Sequence, residues 1–468
     1  MTFTVQGIVI LMLGMIAVVF GKKIILIRAA IFFSPFTAFA VINFLSGFWL
    51  TPFQYFMILC IGIKLSQDTL IKKINYSKPI PEEVIWVAIF FIALAISSFM
   101  PLLIDGDLFI NGTALNEEIG PLFYSTVNFT RPFYIIFGFF ASFLISGISN
   151  SSYLLNQSLR VYIFSGFVVA TWGLMQFVLN MAELEYPYYI FNNSLNPVSQ
   201  GYSQMINSSD GGSFKRLTSV LSEPSVMSQM LIPIFALLVS AKFFKVIFFS
   251  RLIDFIFMIS ILLVCLFSTS ATAYFGIFIC MILALFMALF LKNIQKIYFV
   301  VIFIAGLILV AMLALDNIFS TFIENNIVDK LSSGSGEERI LTIKYALDYF
   351  SQYPLFGIGL GSFSSNDFVV LVLASLGIFG FLILMKLLTD LFAPFLRLSF
   401  ALSRDKSIDK NNALIICTLI LFIISIILQM TSGFNYGYGY FWVTLGLCIG
   451  ARSNAIKFFT QRSKNHVD

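Results

Sequence analysis

Apolar residues in this chain do not alternate with polar ones. They come in runs of about 20, the length that crosses the hydrocarbon core as a helix, and a helix satisfies its backbone N–H and C=O groups internally, as lipid requires. A transmembrane β-barrel would need strict alternation, so the pattern excludes one. The runs predict about thirteen spans, over 4–20, 27–47, 50–66, 84–103, 132–149, 161–181, 226–242, 252–268, 271–291, 297–315, 367–388, 412–430 and 438–451. The expected fold class is therefore an all-α polytopic integral membrane protein, a single transmembrane domain over 1–468. Three connecting segments stay polar for much longer than the rest: 104–131, 182–225 and 316–366. Loops beyond about 15 residues are uncommon unless they carry function, which directs the search for chemistry to these three.

Composition agrees with the pattern. Hydrophobic residues make up 59% and charged residues 11% of 468 positions, with mean hydropathy +0.95, far from the soluble range. Charge then supplies a direction. If Lys22, Lys23 and Arg28 are cytoplasmic, alternation of the spans puts about 22 of the 28 Lys and Arg residues on that side, leaving Arg131, Lys215, Arg216, Lys330, Arg339 and Lys344 outside. The N-terminus is then expected outside and the C-terminus in the cytoplasm. The net charge of +5 is a positive-inside signal rather than a nucleic-acid surface. The first apolar run is followed by Lys22 and Lys23 rather than a small-residue cleavage site, so no cleavable signal is expected.

The residues also exclude chemistry. The sole histidine, His466, lies in the C-terminal tail, which leaves a Ser/His or Cys/His nucleophile system without its base. Cys60, Cys265, Cys280, Cys417 and Cys448 lie in or at the ends of apolar runs, with spacings that fit neither zinc ligation nor a disulfide framework. No nucleotide-binding glycine motif occurs, and no repeat or matched pair of broken helices points to a common transporter.

Two outer stretches remain. In 335–363, SGEERILTIKYALDYFSQYPLFGIGLGSF, Ser335 and Glu338 form a capping box that predicts a helix from Gly336 to about Phe350. Ile340, Ile343, Leu347 and Phe350 share one face, as in an amphipathic helix lying on the outer membrane surface. Arg339 falls in the first turn, where the helix dipole disfavours a cation by about 0.3–1 kcal/mol unless Glu337, Glu338 or an anionic ligand compensates. Gly357, Gly359 and Gly361 follow Pro354, and Asn366 and Asp367 open the next span. In 215–230, KRLTSVLSEPSVMSQM, Pro224 suits the first helical position, which makes Glu223 the expected N-cap of the span after it. Lys215 and Arg216 just before it either grip an anion such as phosphate or anchor the loop by snorkelling.

The run Arg216-Leu-Thr-Ser-Val-Leu-Ser-Glu223-Pro224-Ser225 resembles the R-x-x-S-x-x-x-E-P-S element of O-antigen and related polysaccharide polymerases, the Wzy group. Arg339 with Pro354-Leu-Phe-Gly357-Ile-Gly359-Leu-Gly361 resembles a pattern those polymerases share with O-antigen ligases. Where the ligases carry a His-Asn pair, this chain has Ser365 and Asn366, a departure that favours polymerase over ligase.

The resemblance implies a GT-C-type membrane glycosyltransferase of the bacterial inner membrane. Its reaction would be metal-independent, cofactor-free, inverting glycosyl transfer on the periplasmic face. A glycan on undecaprenyl diphosphate would be the donor and a second lipid-linked repeat unit the acceptor. A Wzz-like chain-length regulator would be a partner, and nucleic acid would not. Arg216 and Arg339 would neutralise the leaving diphosphate, with Lys215 and Lys344 in support. Glu223 would orient Arg216 or act as base, with Asp367 the second candidate base. Ser219, Ser225 and Asn366 would be further substrate contacts. The alternatives are an O-antigen ligase acting on lipid A core and a lipid-linked oligosaccharide flippase or other transporter, which would place charges inside the membrane.

Overall fold

The computed structural model describes residues 2–21, 23–44, 49–71, 82–104, 108–110, 120–194, 205–207, 213–290, 334–365, 367–404, 409–434 and 436–464. Among them are thirteen helices and six strands of two or three residues. The helices are α1 (Val5–Val19), α2 (Lys23–Phe33), α3 (Pro52–Ile71), α4 (Glu82–Ile104), α5 (Thr126–Ile148), α6 (Ser152–Met181), α7 (Pro224–Phe243), α8 (Arg251–Phe267) and α9 (Ala271–Phe290), followed by α10 (Gly334–Gln352), α11 (Phe368–Arg404), α12 (Lys410–Ser432) and α13 (Gly439–Lys464). Seven of these (α4, α5, α6, α7, α9, α11 and α12) are long and apolar enough to span a membrane, and α1 and the first part of α3 are shorter apolar helices. The chain is an all-α polytopic membrane protein. The span expected at 297–315 lies outside the described residues.

One expected span is not a helix throughout. Over 27–47 the chain is helical only to Phe33, then runs as irregular backbone to β1 (Ile42–Asn43), which pairs antiparallel with β2 (Trp49–Leu50). Phe36, Ala38, Phe39, Ala40 and Val41 are nonetheless all buried. Irregular backbone survives at such depth only when protein satisfies it. Here Asn193 does so from the 182–194 segment: its Oδ1 accepts from Ala40 N at 2.5 Å and its Nδ2 donates to Ala40 O at 3.1 Å. Val41 N donates to Leu50 O at 2.8 Å, and the Trp49 indole donates to Thr37 O at 2.9 Å.

α7 is the axis of the bundle. Nearly all its residues are buried, and it packs on α6, α8, α9 and α12. α13 lies along α5 over a seam of small residues. Gly138 admits the Trp442 ring, Gly446 meets Ile145 and the Ser142 carbonyl, and Ser142 Oγ donates to Trp442 O at 2.8 Å. Close backbone approach of this kind is how helices associate where burial from water offers no driving force. Polar contacts define one end of the bundle, joining the loops before α5, α7, α11 and α13 to those after α8 and α10; this loop end holds the candidate site.

α10 covers that end. It begins at Gly334 and ends at Gln352, so Ser335 is inside the helix rather than capping it. Its buried side is Thr342, Ala346 and Tyr349, which packs with Leu122, Phe363 and Ala374. The expected apolar face is only partly turned outward: Ile340 and Leu347 are exposed, Ile343 and Phe350 half-buried. An amphipathic helix at an interface offers such a face to lipid.

Candidate functional site

The glycine segment after α10 is a clasp. α11 is broken at Gly377, whose φ of +64° only glycine adopts readily and whose missing Cβ leaves room for the Leu355 carbonyl. The break frees the carbonyls of Ala374 and Ser375 from intrahelical bonding. Ile358 N donates to the first at 2.8 Å and Ser97 Oγ to the second at 2.6 Å. Ser97 Oγ in turn accepts from Leu360 N at 3.0 Å. Gly361, also left-handed at φ +101°, sits where a Cβ would be 2.8 Å from Val127 O. Asn128 Nδ2 completes the clasp with bonds to Leu360 O at 3.0 Å and Ser362 Oγ at 2.9 Å. Gly357-Ile-Gly359-Leu-Gly361 thus ties α4, α5 and α11 together. Gly377→Ala should cost at least about 1 kcal/mol through the left-handed backbone alone, with the clash added. The expected result is a lower unfolding temperature and less folded protein in membranes.

The segment before α7 is equally constrained. Thr218 N and Ser219 N both donate to Gln176 Oε1 of α6, at 3.0 and 2.8 Å. Ser219 takes a left-handed φ of +55°, held by its hydroxyl on Val169 O at 2.6 Å and by the Tyr186 hydroxyl donating to its carbonyl at 3.1 Å. Strain of this kind persists only where the surroundings over-determine it. The buried Ser219 therefore shapes the loop. What the loop presents is Arg216. Its Nη2 donates to Thr269 O at 3.0 Å, and Thr269, in the α8–α9 turn, is itself left-handed at φ +50°. Arg216 Nε is buried with no hydrogen-bond partner among the described residues. Burial lowers the guanidinium pKa, while Glu223 and Tyr274 pull it the other way. Arginine stays charged regardless, so the segment holds a half-buried cation with donor capacity to spare.

Of the two candidate carboxylates, Asp367 caps a helix and Glu223 does not. Glu223 has N-cap backbone geometry ahead of Pro224, but its side chain makes no capping bond; it is exposed and accepts from Ser225 Oγ at 3.1 Å. Asp367 does cap: its Oδ1 accepts from Val370 N at 2.9 Å in the first turn of α11. Glu223 and Arg216 form no ion pair within 4.0 Å among the described residues and interact at longer range. Lys344 is exposed on α10. Lys215 ends a short strand (Ser213–Lys215) and Arg339 lies in the first turns of α10; Asn366 lies outside the described residues.

Three features have no counterpart among the sequence candidates. Gln176 is one, a buried amide in an apolar helix, the kind of intramembrane polar residue that marks a role. Gln176→Leu should orphan two buried N–H groups, at about 1–3 kcal/mol each, and loosen the loop; faster tryptic cutting at Lys215 or Arg216 would report it. The second is the α12–α13 turn, Gly-Phe-Asn-Tyr-Gly-Tyr over 433–438, whose alternation of aromatic and glycine was the available signal. Its Tyr438 hydroxyl lies 3.2 Å from Ser222 Oγ, and Gly433 O accepts from Gln229 Nε2 at 3.0 Å. The third is Arg131 on α5, which donates to Phe363 O at 2.9 Å and stands 5.9 Å from the Tyr436 ring centroid. Burial pushes the Tyr436 phenol up to about 12, against the pull of Arg131, so it stays protonated at neutral pH. The turn therefore connects the Arg216–Glu223 segment to Arg131 and the glycine clasp.

The fold and the loop end define a multi-pass membrane protein that carries Arg216 and Arg131, each bonded to a backbone carbonyl, and the exposed Glu223 at one end of the bundle. Residues 255–385, which run from α8 to the middle of α11 and include Thr269, Arg339 and the glycine clasp, match the family model described as O-Antigen ligase, Wzy_C. The match agrees with the resemblance to the polymerase and ligase group and points to a glycosyl-transferring enzyme of O-antigen ligase or polymerase type. No curated protein matches the chain.

Proposed function

We propose that the protein is a polysaccharide polymerase of the bacterial inner membrane. It joins undecaprenyl-diphosphate-linked oligosaccharide units by inverting transfer on the periplasmic face, where the loop end then lies. The observation that carries this reading is Arg216, fixed on Thr269 O with a buried, unpartnered Nε, one short segment ahead of an exposed carboxylate at a helix start. In the reaction the acceptor sugar hydroxyl attacks the donor's anomeric carbon, the glycosidic C–O bond forms, and the C–O bond to diphosphate breaks. Negative charge grows on the departing undecaprenyl diphosphate. Arg216 supplies preorganised donors to it and the N-terminus of α7 adds its positive dipole end, with Arg339 and Lys344 as the further cations of this reading. Glu223 takes the acceptor proton; Asp367, committed to capping α11, is the weaker candidate. A Wzz-like partner would set chain length.

The family description favours a second reading, an O-antigen ligase that moves the glycan to lipid A core. Ser365 and Asn366 in place of the ligases' His-Asn pair, and the 216–225 element, favour the polymerase. Purified protein in vesicles, given defined lipid-linked units with and without lipid A core oligosaccharide, separates the two: a polymerase lengthens the lipid-linked chain without the core, and a ligase makes product only with it. A transporter would move the unit and form no bond.

A further inference from the structure

Below the loop end an apolar groove of about 180 Å³ runs between α4, α5, α11, α12 and α13. Its wall on α11 has residues from both sides of the Gly377 break, from Phe368 to Leu391. The lining is almost wholly aliphatic and aromatic; the charged exceptions, Asp390 and Arg452, sit at the far end. Phe143 in the wall is 43% exposed and Val87 is half-buried, so the groove opens sideways to lipid. At the loop end it is lined by Leu360, Phe434 and Tyr436. Arg131 stands over this mouth. Its guanidinium lies 5.9 Å from the Tyr436 ring centroid, it is one helical turn from the lining residue Ile135, and it bonds Phe363 O three residues after Leu360. With one N–H set on that carbonyl, the rest of the fork is available to an anion.

We propose that Arg131 and this groove form a lipid seat, with the phosphate head of the lipid-linked substrate on Arg131 and its long apolar chain along the wall of α11. The charge at the mouth and the almost wholly apolar lining on both sides of the Gly377 break together favour a long single-chain lipid with an anionic head. An apolar ligand alone would need no Arg131, and a short anionic one no groove. The inference rests on the polymerase reading for the identity of the head group. It adds a third cation to Arg216 and Arg339.

The test measures binding of undecaprenyl diphosphate and of geranyl diphosphate, which has the same head on a short chain, to the full-length protein in nanodiscs, with phosphatidylglycerol as competitor. Arg131→Gln should weaken both diphosphates about tenfold or more, the loss of a charged contact. Arg131→Lys, which keeps the charge without the fork, should fall between. Val87→Trp, which fills the groove from its open side, should weaken undecaprenyl diphosphate at least tenfold and leave geranyl diphosphate unchanged. Unaltered undecaprenyl diphosphate binding in Arg131→Gln and Val87→Trp would overturn the proposal, as would equal competition by phosphatidylglycerol. If these dependences hold while no glycosidic bond is made, the seat stands and the polymerase reading falls. If polymerisation proceeds and neither variant changes lipid binding, the reverse follows.

Discussion

Arg216→Ala is expected to abolish long-chain glycan while the protein still reaches the membrane at parental levels. Preorganised donors aimed at developing charge contribute about 10²- to 10³-fold each, and the contact is not easily replaced. Arg216 is held by Thr269 O, and the backbone that follows it is fixed by Gln176, Val169 and Tyr186. Arg216→Lys should recover only a fraction of the activity, because an ammonium cannot hold the Thr269 carbonyl and present a fork to phosphate together. Arg339→Ala should have the same phenotype. The readout is chain-length distribution by gel, with protein level as control. Normal chain lengths in Arg216→Ala would remove that residue from the reaction.

The second large effect concerns Glu223. Because its side chain makes no capping bond, Glu223→Ala should leave thermal stability nearly unchanged, whereas loss of a working N-cap costs about 1 kcal/mol. Activity should fall about 10²- to 10⁴-fold, the usual range for an acid–base group. Glu223→Gln keeps the shape and the contact with Ser225 Oγ but cannot take a proton, and it should be as inactive as the alanine variant. Full activity in Glu223→Gln would exclude proton abstraction by this residue and leave it a positional role toward Arg216. Asp367 gives the contrast: Asp367→Asn retains an oxygen to accept from Val370 N, so it should lose little activity.

The bundle was legible because runs of about 20 apolar residues have few alternatives in lipid. Residues 34–44 are the exception, and an instructive one. They are as apolar as a span, but their backbone is satisfied by Asn193 and Leu50, partners that no local window contains. The bounds of α10 agree with the expectation within two residues, yet its apolar face is split between exposed Ile340 and Leu347 and half-buried Ile343 and Phe350: periodicity identifies a face and does not say whether protein or lipid covers it. Arg216 and Glu223 stood out as charges beside a membrane entry. The position of the Glu223 side chain did not, since Pro224 fixes the backbone of a cap without fixing where the carboxylate goes. Arg131 and Tyr436 lie about 300 residues apart in sequence, and only the packing of α13 on α5 brings them together.

The most direct measurement uses the purified protein in vesicles with a defined lipid-linked unit as the sole substrate and no other enzyme, and follows glycan length and free undecaprenyl diphosphate together. The prediction is a ladder of elongated lipid-linked chains, with one undecaprenyl diphosphate released per bond formed and both signals lost in Arg216→Ala. Chains that never exceed the starting unit, with no undecaprenyl diphosphate released, would contradict it.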